Sequence, residues 1–252
     1  MAEDKMKTHR DFLKDYLRMV IDFSKTDQNK GIATPPLQKP YDPDAKRIAL
    51  PDPETCSESV QQNDFATLVA ERVSKRRFKD EALSLSELGF LLWATQGIRQ
   101  QVDQGTAFRT VPSAGCRHAF ETYLAVSKVD GLDTGIYRYL PVKHELLFVG
   151  AEDNLEEKLT GAAIGQRFVG RAPVTFIWTA VPYRMEWRYG LSAHRVIALD
   201  AGHVCQNLYL AAGAIGGGAC AIAAYNQDLM NELIDVDGED EFTIYLAPVG
   251  KV

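Results

Sequence analysis

Paired cysteines are absent from this sequence. Its 252 residues include four cysteines, and no two of them form a C-x-x-C motif: Cys56, Cys116, Cys205 and Cys220. Without such a pair, neither a zinc framework nor a thioredoxin-like redox motif is indicated. We therefore expect reduced, partly buried thiols in a cytoplasmic protein.

Long apolar runs and an excess of basic residues are also lacking. No stretch approaches about 18 consecutive apolar residues, so no membrane-spanning helix is predicted, and the start, "MAEDKMKTHRDF", does not resemble a secretory signal. The formal net charge is −6. Nonspecific nucleic-acid binding requires a basic surface, so the composition argues against it but leaves room for a local basic pocket for a small anion.

What the chain does contain is a series of short helical and strand patterns. Helical spacing predicts helices near 7–23, 63–73, 152–164, 192–215 and 226–234, and a capping box at Ser84 and Glu87 begins another that ends at Gly97. Strands are predicted at 121–129, 135–140, 144–150, 172–181 and 242–250. Segment 172–181 is apolar on both faces and is predicted to be a buried central strand. Tight connections between the strands favour an α+β fold with a mainly antiparallel central sheet flanked by helices.

The first 60 residues differ from the rest in composition. The helix predicted at 7–23 has a broad apolar face, which suggests packing against a larger body or a partner subunit. Residues 31–55 hold six prolines, which excludes a helix or a central strand and leaves an ordered wrap or a flexible linker. We therefore divide the chain into an N-terminal helix with a proline-rich arm, residues 1–60, and a main domain, residues 61–252.

The segment "RVSKRRF", residues 72–78, concentrates four cations in an acidic chain. We expect it at a helix end, with Arg72 and Arg76 one helical turn apart and Ser74 between them. Arginine forks and serine hydroxyls suit phosphate binding. The alternative is a solvated basic run that complements the helix dipole.

Two further segments are rich in small residues. "PSAG", Pro112 to Gly115, precedes a strand, and its small side chains would let a flat ligand or another backbone approach closely, although an ordinary β-turn has the same composition. Three glycines, 216–218, follow the long helix, where one would suffice as a cap. We expect the backbone there to pass close to another group. The spacing is not that of a dinucleotide fingerprint.

In their order and spacing, these segments resemble the FMN-dependent nitroreductase family, and within it the SagB-type (thiazole/oxazole, ThcOx) dehydrogenase branch. The resemblance covers about residues 63–252 and includes "LSELGFLLWATQGI", "GIYRYLP", "ALDAGHVCQNLYLAAGAIG" and "LAPVGK". It implies a nitroreductase-like fold and an intertwined homodimer with FMN at the subunit interface.

The resemblance also implies a set of cofactor-binding residues. Arg72, Ser74 and Arg76 would hold the FMN phosphate and ribityl chain, with Arg77 as the alternative to Arg76 and Lys75 simply solvated. The resemblance further implies a turn from the other subunit at the flavin, formed by Pro112, Ser113, Ala114 and Gly115. Backbone beside the isoalloxazine ring would come from Gly217, Gly218 and Ala219. A late basic residue, Lys251, would reach the phosphate.

The segment "EWRYG", residues 186–190, departs from the SagB-type pattern, in which a Lys-Tyr pair is thought to assist proton removal. This chain has Arg188 and Tyr189 there, and they are our candidate catalytic residues. Tyrosine can act as an acid or base when its pKa is tuned, whereas arginine stays protonated and can only lower the tyrosine pKa or bind an anionic substrate. The departure weighs against azoline oxidation. The alternative to a catalytic role is that Arg188 and Tyr189 are purely structural.

Other polar residues point to structure rather than chemistry. Asp200, His203 and Asn207 fall on one face of the long helix, where we favour a hydrogen-bonded stripe over a metal site. His118 and His144 are isolated histidines for which a structural role is expected. No metal is predicted.

The main functional hypothesis is an FMN-dependent oxidoreductase. It would transfer hydride from NAD(P)H through flavin N5 to a small electron-poor acceptor such as a nitroaromatic, a quinone or an enone. The alternatives are an azoline (thiazoline or oxazoline) dehydrogenase that acts on a modified peptide and a non-catalytic flavin-binding scaffold or sensor. The expected partners are a second copy of the chain and a small-molecule substrate, without nucleic acid or membrane.

Overall fold

A computed structural model of the chain describes residues 2–52, 55 and 57–252. Its strands are β1 (Arg47–Ala49), β2 (Ile98–Gln101), β3 (Ala107–Arg109), β4 (Phe120–Val126), β5 (Gly135–Leu140), β6 (Glu145–Gly150), β7 (Val174–Ala180), β8 (Gly217–Ala219) and β9 (Phe242–Lys251). Seven of them form one sheet in the order β1-β6-β5-β4-β7-β9-β8, and its ladders are antiparallel. Strands β2 and β3 form a separate ribbon. The predicted α+β class with a mainly antiparallel sheet is confirmed.

The helices lie on both faces and at the edges of this sheet. They are α1 (Ala2–Phe12), α2 (Phe65–Glu71), α3 (Leu85–Gln96), α4 (Leu155–Ala162), α5 (Arg167–Gly170), α6 (Tyr183–Tyr189), α7 (Ala193–Ala214) and α8 (Gln227–Leu233). The expected capping box at the start of α3 is present, since the Glu87 amide donates to Ser84 Oγ at 3.1 Å and the Ser84 amide donates to Glu87 Oε2 at 2.9 Å. Within the described residues, no helix combines the length and apolar character needed to cross a bilayer.

The core lies on both faces of strand β7, which is buried along its whole length between β4 and β9. Phe176 and Trp178 pack on the face covered by α3 and α7, where Leu208 also lies, while Ile177 packs on the other face with Met230 of α8. Successive side chains of a strand point to opposite faces, so an all-apolar strand fills two layers. The prediction of a buried central strand at 172–181 is confirmed.

The helix predicted at 7–23 is wrong in extent. Helix α1 ends at Phe12, and short 3-10 turns follow at Tyr16–Met19 and Phe23–Lys25. Leu13 and Met19 of this segment are exposed. Most of the stability of a protein helix comes from packing its apolar face, and the described part of the chain leaves most of that face uncovered.

The proline-rich arm is anchored by buried polar side chains of the main domain. Arg109 Nη2 donates to the Leu37 carbonyl at 2.7 Å, and Arg138 Nη2 donates to the Lys39 carbonyl at 3.1 Å. The Lys39 amide in turn donates to Glu121 at 2.7 Å. These contacts agree with an ordered wrap and not with a flexible linker, while residues 53, 54 and 56 of the N-terminal unit lie outside the described residues.

Three elements near the site have no counterpart among the predicted elements. They are the β2–β3 ribbon, helix α6 and the short edge strand β8. Strand β8 contains two of the three glycines and pairs with the end of β9, with Gly217 opposite Lys251. Its hydrogen bonds come from a distant part of the chain, so local pattern does not reveal it. Of the cysteines, Cys116, Cys205 and Cys220 are free and the latter two are buried, whereas Cys56 is not described.

Candidate functional site

The basic segment 72–78 is extended, so the expectation that Arg72 and Arg76 share a helical turn is wrong. Helix α2 ends at Glu71, and Arg72 has φ −60° and ψ 114°. The Lys75 amide donates to the Ala219 carbonyl at 2.9 Å. Tertiary hydrogen bonding to the strand β8 edge therefore replaces the helical ladder here.

Tyr209 of α7 joins the two ends of the Arg-x-Ser element. Its hydroxyl accepts from the Ala221 amide at 2.7 Å and lies 2.8 Å from Ser74 Oγ. The Arg72 guanidinium carbon lies 5.3 Å from the centre of the Tyr209 ring. Sequence reasoning missed Tyr209, although its position four residues before Gly213 puts it on the helix face that leads to the glycine run.

The glycine run passes close to other parts of the chain, as its composition predicts. Gly216 has φ +68°, and a Cβ there would lie 2.5 Å from Gln61 Oε1. A Cβ on Gly218 would lie 2.5 Å from Cγ of Lys75. Larger residues at these positions would therefore displace the segments on either side.

The basic segment, the glycine run and α7 enclose a cleft of about 440 Å³, here called the glycine cleft. Its charged lining consists of Arg72, Lys75 and one carboxylate, Glu71, and Tyr209 and Ala219 also border it. In the described part of the chain, neither cation forms an ion pair. The cleft therefore offers two cationic donors beside closely approaching backbone.

Two of the residues that the resemblance implies at the phosphate do not line the glycine cleft. The Arg76 guanidinium carbon lies 5.9 Å from the centre of the Phe168 ring on α5 and does not line the glycine cleft. The Lys251 ammonium donates to the Glu87 carboxylate and to the Ile215 carbonyl. Its place at the end of strand β9 is ordered, but its charge is already compensated. Lys75 is exposed, as expected for a solvated lysine, and it also lines the cleft.

The PSAG segment forms a tight turn that is tied to α7. Gly115 has φ +58°, and the His118 amide donates to Ser113 Oγ at 2.9 Å. The Ala114 amide donates to Asp200 Oδ2 at 3.3 Å. Burial raises the pKa of Asp200 above its ordinary value. Asp200, which we placed in a polar stripe, thus anchors this turn.

Arg188 and Tyr189 lie against the same turn. A Cβ at Gly115 would be 2.7 Å from the Tyr189 hydroxyl oxygen and 2.8 Å from Arg188 Nε. The Arg188 guanidinium carbon is 5.6 Å from the centre of the Tyr189 ring. The structure therefore brings together two segments that the sequence pointed to separately, and we call Ser113–Gly115 with Arg188 and Tyr189 the turn cluster.

The turn cluster and the glycine cleft contact different parts of α7. Asp200 meets the turn, whereas Gly213 lines the cleft. Thirteen residues of α-helix separate them, which corresponds to roughly 20 Å along the axis at about 1.5 Å per residue. One chain thus presents two candidate half-sites at different points along the same helix.

The remaining polar candidates have structural contacts. Asn207 Nδ2 donates to the Ala94 carbonyl of α3 at 2.9 Å, and His203 Nδ1 lies 3.7 Å from Asp200 Oδ1. Burial lowers the pKa of His118 to about 2, and it also lowers the pKa of His144, whose Nδ1 lies 2.7 Å from the Tyr139 hydroxyl. Across residues 2–52, 55 and 57–252, no group of three His, Cys, Asp or Glu side chains is placed to hold a metal ion.

The sheet order and the helices on both of its faces define the class of protein as an α+β protein with a nitroreductase-like fold. A sequence model described as "Nitroreductase family" matches residues 69–251. Since the match covers most of the chain, the protein belongs to the nitroreductase family of oxidoreductases. The SagB-type branch within it stays a prediction.

Individual relatives agree with this family. The Methanocaldococcus jannaschii protein "Putative nitroreductase MJ1384" is 30% identical over 208 residues, which are 82% of this chain and 98% of that protein. A crystal structure of a "putative nitroreductase" from Ralstonia eutropha has 26% identity and a TM-score of 0.65 over 87% of this chain and 98% of that one. Another from Anabaena variabilis has 27% identity and a TM-score of 0.66 over 83% of this chain, which spans 42% of the Anabaena chain.

Proposed function

We propose that this protein is an FMN-dependent oxidoreductase. It would take hydride from NAD(P)H and deliver it to a small electron-poor acceptor such as a nitroaromatic, a quinone or an enone. The observation that carries the proposal is the glycine cleft, where Arg72, Lys75 and a run of glycine backbone meet. Among the residues that the structure describes, no carboxylate forms an ion pair with either cation. Membership of the nitroreductase family supports the same conclusion.

The cleft residues fit the phosphate end of FMN. A phosphate monoester is close to a dianion at neutral pH and binds best to two or three charge-assisted donors. Arg72 supplies a planar fork and Lys75 a point charge, and the Tyr209 contacts hold Arg72 and Ser74 in place. The closely packed glycine run offers main chain without side-chain bulk.

We further propose that two copies of the chain complete the site. The turn cluster and the glycine cleft contact α7 at points roughly 20 Å apart along its axis, and we infer that a flavin draws one of them from each of two chains. A second chain would supply the missing half. Phe65 and Val69 of α2 and Leu199 of α7 expose apolar surface, which is the kind of surface that a partner covers.

When bound, FMN would supply the redox chemistry, taking up and releasing hydride at N5. The protein's part is to bind, orient and shield. Arg72 and Lys75 would hold the phosphate, and the exposed Gly115 would leave room for a flat ring beside the turn. Arginine in general cannot serve as a base, so we propose acceptors that need no dedicated protein base.

The first test is the colour and reducibility of the purified protein. We expect a yellow protein whose absorbance near 450 nm bleaches on anaerobic mixing with NADH or NADPH and returns on adding a nitroaromatic or quinone. A colourless protein that takes up no FMN would contradict the proposal. A yellow protein that neither nicotinamide bleaches would contradict it as well and would favour the azoline dehydrogenase or the non-catalytic scaffold.

The second test locates the phosphate. Arg72→Ala should weaken FMN binding by about 1.5–3 kcal/mol, the usual loss for a charged hydrogen bond. Arg76→Ala removes the same charge four residues away, outside the cleft, and is the matched control with near-normal affinity. Fluorescence titration of the apoprotein with FMN measures both. Equal losses in the two variants would show that the phosphate does not bind where we place it.

A further inference from the structure

A second open pocket, of about 510 Å³, lies beside Pro112 and is separate from the glycine cleft. Helix α3, the β2–β3 ribbon and helix α7 contribute its walls, and we call it the tryptophan pocket. Its lining includes Trp93, Ala94, Arg99, Thr110, Pro112 and Asn207. Of these residues only Pro112 belongs to the implied flavin contacts, so the proposed function leaves the other side chains unexplained.

Trp93 gives this pocket a flat apolar surface. Its side chain is half-buried, and a Cβ on Gly97 would collide with Cδ1 of its ring, so the ring packs over the end of α3. Thr110 Oγ1 donates to the Trp93 carbonyl at 2.6 Å, which ties α3 to the segment after β3. The other two tryptophans, Trp178 and Trp187, are buried. An anchored, half-buried tryptophan in a pocket wall is suited to stacking against a flat ring.

Arg99 supplies an available positive charge at the same pocket. It is exposed, and its Nε donates to the Arg109 carbonyl at 3.0 Å, which orients the guanidinium. Across the described ranges, Arg99 forms no ion pair, and its Nη atoms form no hydrogen bond. These atoms can therefore donate to a carboxylate, sulfonate or phosphate oxygen.

The lining of the tryptophan pocket is cationic although the chain is acidic. Arg109 also borders the pocket, and its buried guanidinium donates to Gln96 Oε1 at 2.8 Å and to the Leu37 carbonyl at 2.7 Å. Among the residues that the structure describes, no Asp or Glu lines this pocket, whereas the chain has 34 of them and a net charge of −6. An anion that enters the pocket would therefore meet two guanidinium groups and no lining carboxylate.

The tryptophan pocket adjoins the turn half-site. Asn207 follows Asp200 by two turns of α7, so the two residues share one face of that helix. Asp200 holds the PSAG turn, and Pro112 of the same segment borders the pocket. A flavin at the turn cluster would therefore have this pocket beside it.

We propose that the tryptophan pocket binds a flat ring that carries an anionic oxygen group, with the ring against Trp93 and the anion at Arg99. The inference rests on the proposed function and deepens it, because it names the substrate class of the same site. Two substrates of such an enzyme have this chemistry. One is an aromatic acceptor with a carboxylate, and the other is NADPH, whose adenosine carries a 2′-phosphate.

The test is calorimetric titration of the purified protein, with FMN added in excess, by 4-nitrobenzoate and by the neutral 4-nitrobenzamide. Arg99→Gln should lower the affinity for 4-nitrobenzoate roughly tenfold and leave that for 4-nitrobenzamide unchanged, as expected for loss of one charged hydrogen bond. Trp93→Leu should weaken both ligands, because they share the ring. Arg171→Gln changes an exposed arginine that pairs with Glu156. It is the control for net charge and should bind both ligands like wild type.

A titration with adenosine 2′,5′-bisphosphate separates the two sources of the anion. Weaker binding of this ligand to Arg99→Gln would assign the pocket to the coenzyme, whereas weaker binding of 4-nitrobenzoate would assign it to the acceptor. These titrations need no turnover, so they decide on the pocket even if the protein reduces neither nitro compound, a result that would defeat the proposed function alone. Wild type that binds neither anion, or equal losses in Arg99→Gln and Arg171→Gln, would overturn the inference.

Discussion

Neighbouring cations of the segment "RVSKRRF" have very different surroundings. Arg72 lies over the Tyr209 ring, Lys75 passes against Gly218 in the glycine cleft, and Arg76 lies over Phe168 on another helix. The segment is extended and not helical, so no common helix face joins Arg72 and Arg76. Composition therefore indicated an anion site, while the tertiary structure decided which of these cations line the glycine cleft.

His118 makes the stability of the protein depend on pH. Burial and the nearby positive charge of Arg109 lower its pKa to about 2. As pH falls below about 6.5, the unfolded chain binds a proton that the folded chain refuses, so stability is lost by up to about 1.4 kcal/mol per pH unit from this one group. The loss continues until pH reaches the folded pKa.

We expect His118→Asn to remove this pH dependence. Asparagine tolerates the positive φ of 45° at this position and does not titrate. Urea unfolding at pH 7.5 and 5.5 should show a smaller acid-induced loss in the variant than in wild type, by about 1 kcal/mol. Parallel losses in the two proteins would mean that His118 is not the neutral buried group described above.

At the scale of elements, α7 organises both half-sites. Its first half holds the PSAG turn through Asp200, and its second half presents Tyr209 and Gly213 to the glycine cleft. The helix is also the layer that covers strands β4 and β7 on one face. A fixed helix therefore sets the relative placement of the two half-sites within each chain.

Asp200→Ala should loosen the PSAG turn. The partly buried Ala114 amide would lose its acceptor, which costs about 1–3 kcal/mol for a fully buried donor and less here. Urea unfolding should show that loss, together with faster hydrogen exchange at Ala114 and Gly115. His203→Ala, which removes only the exposed neighbour of Asp200, is the control and should leave both measurements near wild type. If Asp200→Ala changed neither the free energy of unfolding nor the hydrogen exchange, the turn would hold its shape without the carboxylate.

Arg138→Met should release the proline-rich arm. Arg138 is buried and donates to the Lys39 and Pro40 carbonyls, and methionine fills similar space without donating. Limited chymotrypsin digestion should then cut near Tyr41 at least several-fold faster. Lys46→Met removes a solvent-exposed pair with Asp133 on the same arm and should change little. Equal cleavage in all three proteins would place the anchor elsewhere.

At the scale of the whole molecule, each chain presents the glycine cleft and the turn cluster at different points along α7. In the arrangement that we propose, a two-fold dimer would form two flavin sites, because each chain would give its cleft to one site and its turn to the other. The exposed apolar residues of α2 and of segment 12–20 provide surface for such a contact.

Mixed dimers test this arrangement directly. Arg72→Ala damages the cleft, and Gly115→Val damages the turn, because its Cβ would collide with Arg188 and Tyr189. If each site draws on two chains, a dimer of one variant with the other contains one intact site, so co-expression should restore roughly a quarter of the wild-type FMN sites. Mixed dimers purified through a separate tag on each variant would show this recovery without dilution by the two variant homodimers. No recovery in folded mixed dimers would contradict the shared site.

Much of the fold could be predicted from local pattern. The capping box of α3, the all-apolar run of β7 and the long stripe of α7 each have a strong periodic or capping signal, and all three elements are present. Strand β8 and the extended course of residues 72–79 could not be predicted. Their amides bond to partners far along the chain, such as Ala219 and Lys251, and local spacing carries no record of those partners.

The candidate site likewise combines features that could be predicted from sequence with features that could not. By itself, the sequence determined the family, the α+β class and the segments from which a site would be built, because motif order and side-chain chemistry are written in the chain. Only the tertiary structure decided that Lys75 rather than Arg76 meets the glycine run, that Tyr209 secures Arg72 and Ser74, and that Gly115 faces Arg188 and Tyr189. The physical reason is that these contacts join segments far apart in sequence, whose distances exist only once the sheet and α7 are packed.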